Sequence, residues 1–235
     1  MHRFFVLPAN LKKNLFESKE PDFCHQLTRV LRFKVGAEIV VLDNSGREFK
    51  VRLTLVTKRK VCGQVLTQQK NLAESKIRLT LGQALPKKIS KFEQILRGGT
   101  EVGITKFVPL LTERTEVSSF SNPERARRIL RAAAEQSGRG LIPELAEVQK
   151  FAEALKCPKK KFLADSFCPQ PLLKSFLPEM QQTKEVLIFV GPEGGFTERE
   201  VKLAQESGAP NFSLGARVLR VETAGVAIAS TILFS

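Results

Sequence analysis

Two glycine-bearing segments carry residue types and spacings that could do chemistry: VGPEGGFTEREV at 190–201 and LGARVLRVETA at 214–224. In the first, Gly191, Gly194 and Gly195 surround Glu193 directly after the apolar run EVLIFV. Glycine removes the side chain and admits positive φ, so a glycine-rich turn after a strand lets backbone approach a ligand closely. A plain turn is the competing reading, although a turn rarely needs three glycines together. In the second segment Arg217 and Arg220 lie three apart, just ahead of Glu222 and Thr223, which open a helix. A positive cluster at a helix N-terminus suits a carboxylate or a developing anion. The simpler alternative is that Glu222 pairs with one arginine and caps the helix.

Other chemistries fit less well. Gly-Pro-Glu-Gly-Gly is neither G-x-G-x-x-G nor a loop ending in Gly-Lys-Ser/Thr, and Leu214 and Gly215 stand where a ribose-binding acid belongs, which excludes the usual dinucleotide and triphosphate binders. The two histidines, His2 and His25, are near the start, and no serine sits in a G-x-S-x-G elbow, so a hydrolytic triad has no basis. His25 reads as a polar structural or RNA-facing side chain. Cys24, Cys62, Cys157 and Cys168 are widely spaced with no C-x-x-C pair. They point to reduced packing residues, with neither zinc nor a disulfide framework expected.

The elements that must position the two loops follow from periodicity. Residues 39–42, the turn Asp43, Asn44, Ser45 and Gly46, and then Phe49, Val51, Leu53 and Leu55 alternating with polar residues make a hairpin. A third strand covers 61–66, and the polar stretch 67–75 reads as a linker. Strands and helices alternate beyond it: strands at 77–81, 107–111, 161–165, 185–190 and 212–214, and a helix from about 90 to 98. A second helix begins at Ser121, Asn122, Pro123 and Glu124, and a third at the capping box formed by Thr197 and Glu200. The glycine loop is thus a strand-to-helix crossing. The last helix, about 223–233, is small and apolar nearly all round, as expected of a helix buried in a core or interface. Length and pattern favour two domains, 1–72 and 73–235.

With 42% hydrophobic and 26% charged residues, the 235-residue chain has the balance of a folded globular protein. Its formal charge of +14 points to polyanionic partners, nucleic acid before membrane; a merely basic soluble protein is the alternative. Arg125, Arg128 and Arg131 share one helical face by their spacing. No stretch approaches the roughly 20 apolar residues of a membrane span, and the start MHRFFVLPANLKK lacks the pattern of a signal peptide. The expected location is the cytoplasm, with no membrane partner.

Taken together, GPEGG after a strand and LG-x-RVLR-x-ETA before a terminal helix resemble the signature of the ribosomal RNA small subunit methyltransferase E family, within the SPOUT class of methyltransferases. Matching residues run along nearly the whole chain: Arg3, Phe4 and Phe5; His25, Val30, Leu31, Arg32 and Gly36; Thr100, Glu101, Val102 and Gly103; Pro109, Glu113 and Arg114; and Glu135, Gln136, Ser137, Gly138 and Arg139. The resemblance implies an N-terminal PUA-like β-barrel joined to an α/β SPOUT domain with a deep trefoil knot, which general connection rules would have argued against. It implies an S-adenosylmethionine pocket lined by Gly191, Glu193, Gly194, Gly195, Leu214, Gly215, Leu219, Arg220 and Thr223. It further implies methylation of N3 of one uridine in the decoding region of 16S ribosomal RNA, by a homodimer with each site completed across the interface. Four positions depart from the family pattern. Gly98 and Gly99 replace a lysine and a non-glycine residue, Ser137 replaces a cysteine, and Val221 replaces a threonine.

For such a reaction the donor already carries a sulfonium, so the protein must align uracil N3 with the methyl group and stabilise loss of the imide proton. Arg217 and Arg220 are the candidates for stabilising the forming anion, with Glu222 beside them as a third catalytic candidate. No residue is assigned as the base, and no metal is required. Pairing hides N3, so the target uridine should be unpaired or flipped. Arg3, His25, Arg32, Arg114 and Arg139 are the expected contacts to 16S rRNA or the small subunit. Ribose 2′-O-methylation and a non-catalytic RNA-binding assembly factor remain the rival readings.

Overall fold

The computed structural model describes residues 1–120, 122–166 and 171–235; Ser121 and Cys168, both singled out above, lie outside the described residues. The chain divides into two compact units, Met1–Glu74 with Ala134–Ile142, and Ser75–Ala133 with Pro143–Ser235.

In the first unit β1 (Arg3–Phe5), β2 (Leu11–Lys12) and β3 (Leu15–Ser18) precede the short helix α1 (Pro21–His25), which continues as a π-helical turn over Gln26–Val30. The hairpin follows as β4 (Glu38–Leu42), β5 (Arg47–Val56) and β6 (Val61–Lys70). These strands form one sheet in the order β1-β4-β5-β6-β3-β2, with β1 parallel to β4 and the other neighbours antiparallel. Phe49, Val51 and Leu53 are buried as the alternation requires, whereas Leu55 is 40% exposed because the register shifts between Leu53 and Leu55. Such a bulge turns the following side chains away from the core face. Strand β6 also runs four residues into the stretch read as a linker, since Thr67 to Lys70 pair with β5 and the Gln69 side chain donates to Glu48. With both faces exposed there, apolar periodicity carries no signal.

The segment Ala134–Ile142 closes this unit. Phe5 donates its backbone N–H to Glu135, Asn71 its side-chain amide to the Gly138 carbonyl, and Ile142 its N–H to Asn44 Oδ1. Ala134 and Ile142 pack against Phe5, Val40 and Leu42.

The second unit reads β7 (Arg78–Ala84), α2 (Ile89–Val102), β8 (Lys106–Leu111), α3 (Pro123–Ser137, of which the last turn belongs to the first unit), β9 (Glu144–Leu145), β10 (Gln149–Lys150), α4 (Phe151–Ala154), β11 (Lys160–Ala164), α5 (Leu177–Gln182), β12 (Glu185–Val190), α6 (Glu198–Glu206), β13 (Asn211–Phe212) and α7 (Val221–Leu233). All pairings are parallel, in the order β10-β8-β7-β12-β11-β13, with β9 also on β8. A parallel sheet with crossover helices collects its loops at the carboxyl ends of the strands, where ligands bind in such folds. The apolar run of β12 is buried because the strand lies centrally, covered on both faces.

Helix α2 extends through Gly98 and Gly99 to Val102, beyond the end read from sequence. The glycines are retained inside it by close packing. A Cβ at Gly99 would lie 2.8 Å from Ile104 and Phe107, and one at Gly98 would lie 3.1 Å from Val226 of α7. At the start of α3, Asn122 Oδ1 accepts from the Arg125 N–H and so supplies a cap. No helix among the described residues is long and apolar enough to cross a membrane.

Candidate functional site

The glycine loop leaves β12 at Val190 and enters α6 through the capping box: Thr197 accepts from the Glu200 N–H while Glu200 accepts from the Thr197 N–H. Glu200, 5% exposed, also accepts from the Glu113 N–H and so fastens the end of β8 to this crossing. Within the loop Gly195 donates to the Pro192 carbonyl at 2.9 Å with φ at +69°, a conformation costly for other residues. A Cβ on Gly191 would meet the Gly195 backbone at 3.1 Å, and one on Gly194 would meet Arg114 Cδ at 3.3 Å. The three glycines therefore satisfy the loop's own backbone before any ligand is considered.

A cavity of about 380 Å³ opens where this loop faces the segment after β13. Of the residues expected around a cofactor, Gly191, Glu193, Gly195, Leu214, Gly215, Leu219 and Arg220 line it, together with Arg217. Gly194 and Thr223 are not on its wall: Gly194 faces Arg114, and Thr223 is exposed on the first turn of α7. Asp165 and Ser166, at the end of β11, complete one side. Two contributors had no signal in the sequence reading. Gln83, fully buried in β7, donates its amide toward the Val190 and Gly191 carbonyls at 3.4 and 3.3 Å, supporting the loop from below. Lys91 of α2 lines the cavity itself.

The charges sort unevenly. Lys91 Nζ lies 3.0 Å from Glu193 Oε1 and 3.7 Å from Glu222 Oε2. Burial pushes the Glu193 carboxyl up, but hydrogen bonds from Lys91 and backbone N–H groups more than offset this and hold it below its ordinary value. The same contact with Glu193 raises Lys91, so both ends of the pair stay ionised near neutrality. Glu222, expected beside the reacting atoms, does not line the cavity; it pairs with Lys91, not with an arginine, and gives α7 no side-chain cap. Arg217 and Arg220 are exposed on the wall, and neither side chain has a hydrogen-bond or ion-pair partner among the described residues.

The five expected RNA contacts divide as well. His25 is exposed at the end of α1, and Arg32 is exposed just beyond the π-helical turn, where it adopts φ +54°. Arg3 is half-buried beside Gly138. Arg114 is exposed but donates to the Gly194 and Phe196 carbonyls at 2.6 and 3.3 Å, so it braces the glycine loop. Arg139 departs from its expected role: it is 2% exposed and holds Glu74 through Nη2 at 2.7 Å and Nε at 3.3 Å, inside the first unit. Arg125 is likewise engaged, by Glu93. Among the described residues no cluster of three or more metal-ligating side chains occurs.

Residues 73–233 match the model of an RNA methyltransferase domain and 20–66 that of an RNA methyltransferase PUA domain. The ribosomal RNA small subunit methyltransferase E of Synechocystis is 37% identical over 85% of this chain and 67% of its own length. That of Bacillus subtilis is 30% identical over the whole chain and 96% of its own. The crystal structure of the Neisseria gonorrhoeae enzyme of that name, bound to S-adenosylmethionine, superimposes with a TM-score of 0.89 at 29% identity, covering 99% of this chain and 96% of that one. By its two domain models, the curated relatives and the solved structure, the chain belongs to the ribosomal RNA small subunit methyltransferase E family.

Proposed function

We propose that this protein transfers a methyl group from S-adenosylmethionine to N3 of one uridine in the decoding region of 16S rRNA, uridine 1498 in the usual numbering. The observation that carries the reading is the cavity at the carboxyl ends of a parallel sheet, where the GPEGG and LGARVLR loops face each other in a chain of this family. Its volume, about 380 Å³, lies in the range of small-molecule sites. Its wall mixes apolar groups such as Phe196, Leu214 and Leu219 with charged ones, as a nucleoside carrying an amino-acid tail requires.

S-adenosylmethionine, when bound, supplies an electrophilic methyl group on a sulfonium. Gly191, Gly195, Leu214 and Leu219 would hold it through backbone and apolar contact. Arg217 and Arg220, exposed on the wall and without partners among the described residues, would face the negative charge that spreads onto the uracil carbonyl oxygens as N3 loses its proton. Orientation contributes the rest of the acceleration.

In the same proposal residues 1–72 form a PUA-like β-barrel that grips rRNA and 73–235 form the knotted SPOUT domain. Support for the barrel is the six-stranded sheet, whose strands β4 and β5 and most of β6 lie within the match to the PUA model at residues 20–66. Support for the knot is the return of the chain after β13 to lay α7 against β7, β12 and α2. The RNA-facing side chains are His25, Arg32 and Arg3 in the first unit and Arg114 in the second; Arg139 acts by bracing the first unit through Glu74. The protein works as a homodimer, for which Phe234 at 72% exposed and the half-buried Val226 and Ala227 of α7 offer a surface.

Nucleoside mass spectrometry of rRNA from a strain lacking the gene tests the reading. Loss of 3-methyluridine, restored on complementation, is expected. Loss of a ribose methyl group instead would favour 2′-O-methylation, and no change would favour an assembly factor.

A further inference from the structure

Lys91 stands in the first turn of α2 and reaches both segments that frame the cavity. Its ammonium lies 3.0 Å from Glu193 in the glycine loop and 3.7 Å from Glu222 in the first turn of α7. A third strap converges there, since the Lys87 N–H donates to the other Glu193 oxygen at 3.3 Å. The side chains of Lys91, Glu193 and Glu222 are between 17% and 29% exposed, and Glu222 Oε2 is buried with no hydrogen-bond partner among the described residues. Two partly desolvated carboxylates, one in the glycine loop and one in the first turn of α7, therefore share one cation. Without it they would face each other uncompensated, a situation that drives like charges apart or forces one to take a proton.

We infer that Lys91 is a positioning residue: by bridging Glu193 and Glu222 it fixes the glycine loop against the N-terminus of α7 and sets the width of the cavity before the methyl donor enters. This rests on the cofactor reading above. The consequence is a division of labour along the wall. Among the described residues Arg217 and Arg220 have no ion-pair partner and are exposed on the wall, while the charge of Lys91 is taken up in holding the frame.

The test is titration calorimetry of S-adenosylmethionine into the full-length protein, comparing wild type with Lys91→Met, Lys91→Arg, Glu193→Gln and the Lys91→Met/Glu193→Gln double variant. Loss of a charge-assisted bridge predicts a Kd raised about tenfold or more in Lys91→Met, with most of the affinity regained in Lys91→Arg. The double variant should bind no more weakly than Lys91→Met alone, because the two changes remove one interaction. Glu193→Gln carries the test if Lys91→Met does not fold, and should weaken binding in the same direction. Wild type that binds while Lys91→Met and Glu193→Gln bind within about twofold of it overturns the inference alone. A loss in Lys91→Met to which Glu193→Gln adds in full in the double variant also overturns it. Wild type that does not bind overturns the cofactor reading beneath it.

Discussion

Replacing Arg139 by methionine removes a cation that is 2% exposed and leaves Glu74, itself 18% exposed, without its ion-pair partner. Breaking a buried pair from one side costs about 3–5 kcal/mol, since the remaining charge stays buried and uncompensated. Here Glu74 keeps two donors, the N–H groups of Gly140 and Leu141 at 3.1 and 3.2 Å. The methionine stem also retains much of the packing volume, so the loss should fall at the lower end, about 3 kcal/mol. With a urea m-value of about 2–3 kcal/mol/M, the unfolding midpoint moves down by roughly 1–1.5 M. Arg139→Lys should recover only part of this, because the two-pronged contact to Glu74 needs a planar fork. Arg139→Met combined with Glu74→Gln should be more stable than Arg139→Met alone. Urea melts followed by far-UV circular dichroism, with rRNA binding measured in parallel, give the answer. A shift below about 1 kcal/mol with a selective loss of rRNA affinity would refute the bracing role and return Arg139 to the RNA surface.

Gly195→Val places a β-branched residue at φ +69°, a strain of about 2 kcal/mol that should weaken S-adenosylmethionine binding roughly 30-fold while circular dichroism shows the fold intact; normal binding would make the loop a simple turn. Gly99→Ala brings a Cβ within 2.8 Å of Ile104 and Phe107, so overpacking of about 1–3 kcal/mol should exceed the gain of about 1 kcal/mol in helix propensity and lower the melting temperature. Arg32→Glu should weaken rRNA binding about tenfold and flatten its salt dependence with cofactor affinity unchanged; equal loss of both would signal misfolding. Glu193 has its carboxyl held below its ordinary value of 4.5. Its contribution to stability is therefore complete above that pH and is lost as pH falls through the lower folded value. Acid unfolding curves of wild type and Glu193→Gln should accordingly converge below that range.

Much of the site was legible because its signals are local. The glycines of 190–201, the capping box of Thr197 and Glu200, and the arginines ahead of α7 each declare themselves within a dozen residues. What escaped depends on pairings across long stretches of chain. Lys91 meets Glu193 and Glu222 over more than a hundred residues, Gln83 supports a carbonyl 108 residues away, and Arg139 finds Glu74 at a separation of 65. Periodicity cannot report such partners, so Arg139 read as an RNA contact and Glu222 as a catalytic candidate. The fold followed the same division. Hairpin, β12 and the terminal helix came from alternation or apolar runs, whereas parallel pairing of β1 with β4 leaves no mark in either short segment. Gly98 and Gly99 read as a helix end because their reason for being glycine lies in Val226, Ile104 and Phe107.

The most direct measurement is transfer of a labelled methyl group from S-adenosylmethionine by the purified protein to naked 16S rRNA and to assembled small subunits lacking the modification, with the product mapped to the nucleotide. Label appearing as 3-methyluridine at a single position in the decoding region is the predicted result. Label on a ribose, on another base, or on neither substrate would contradict the account.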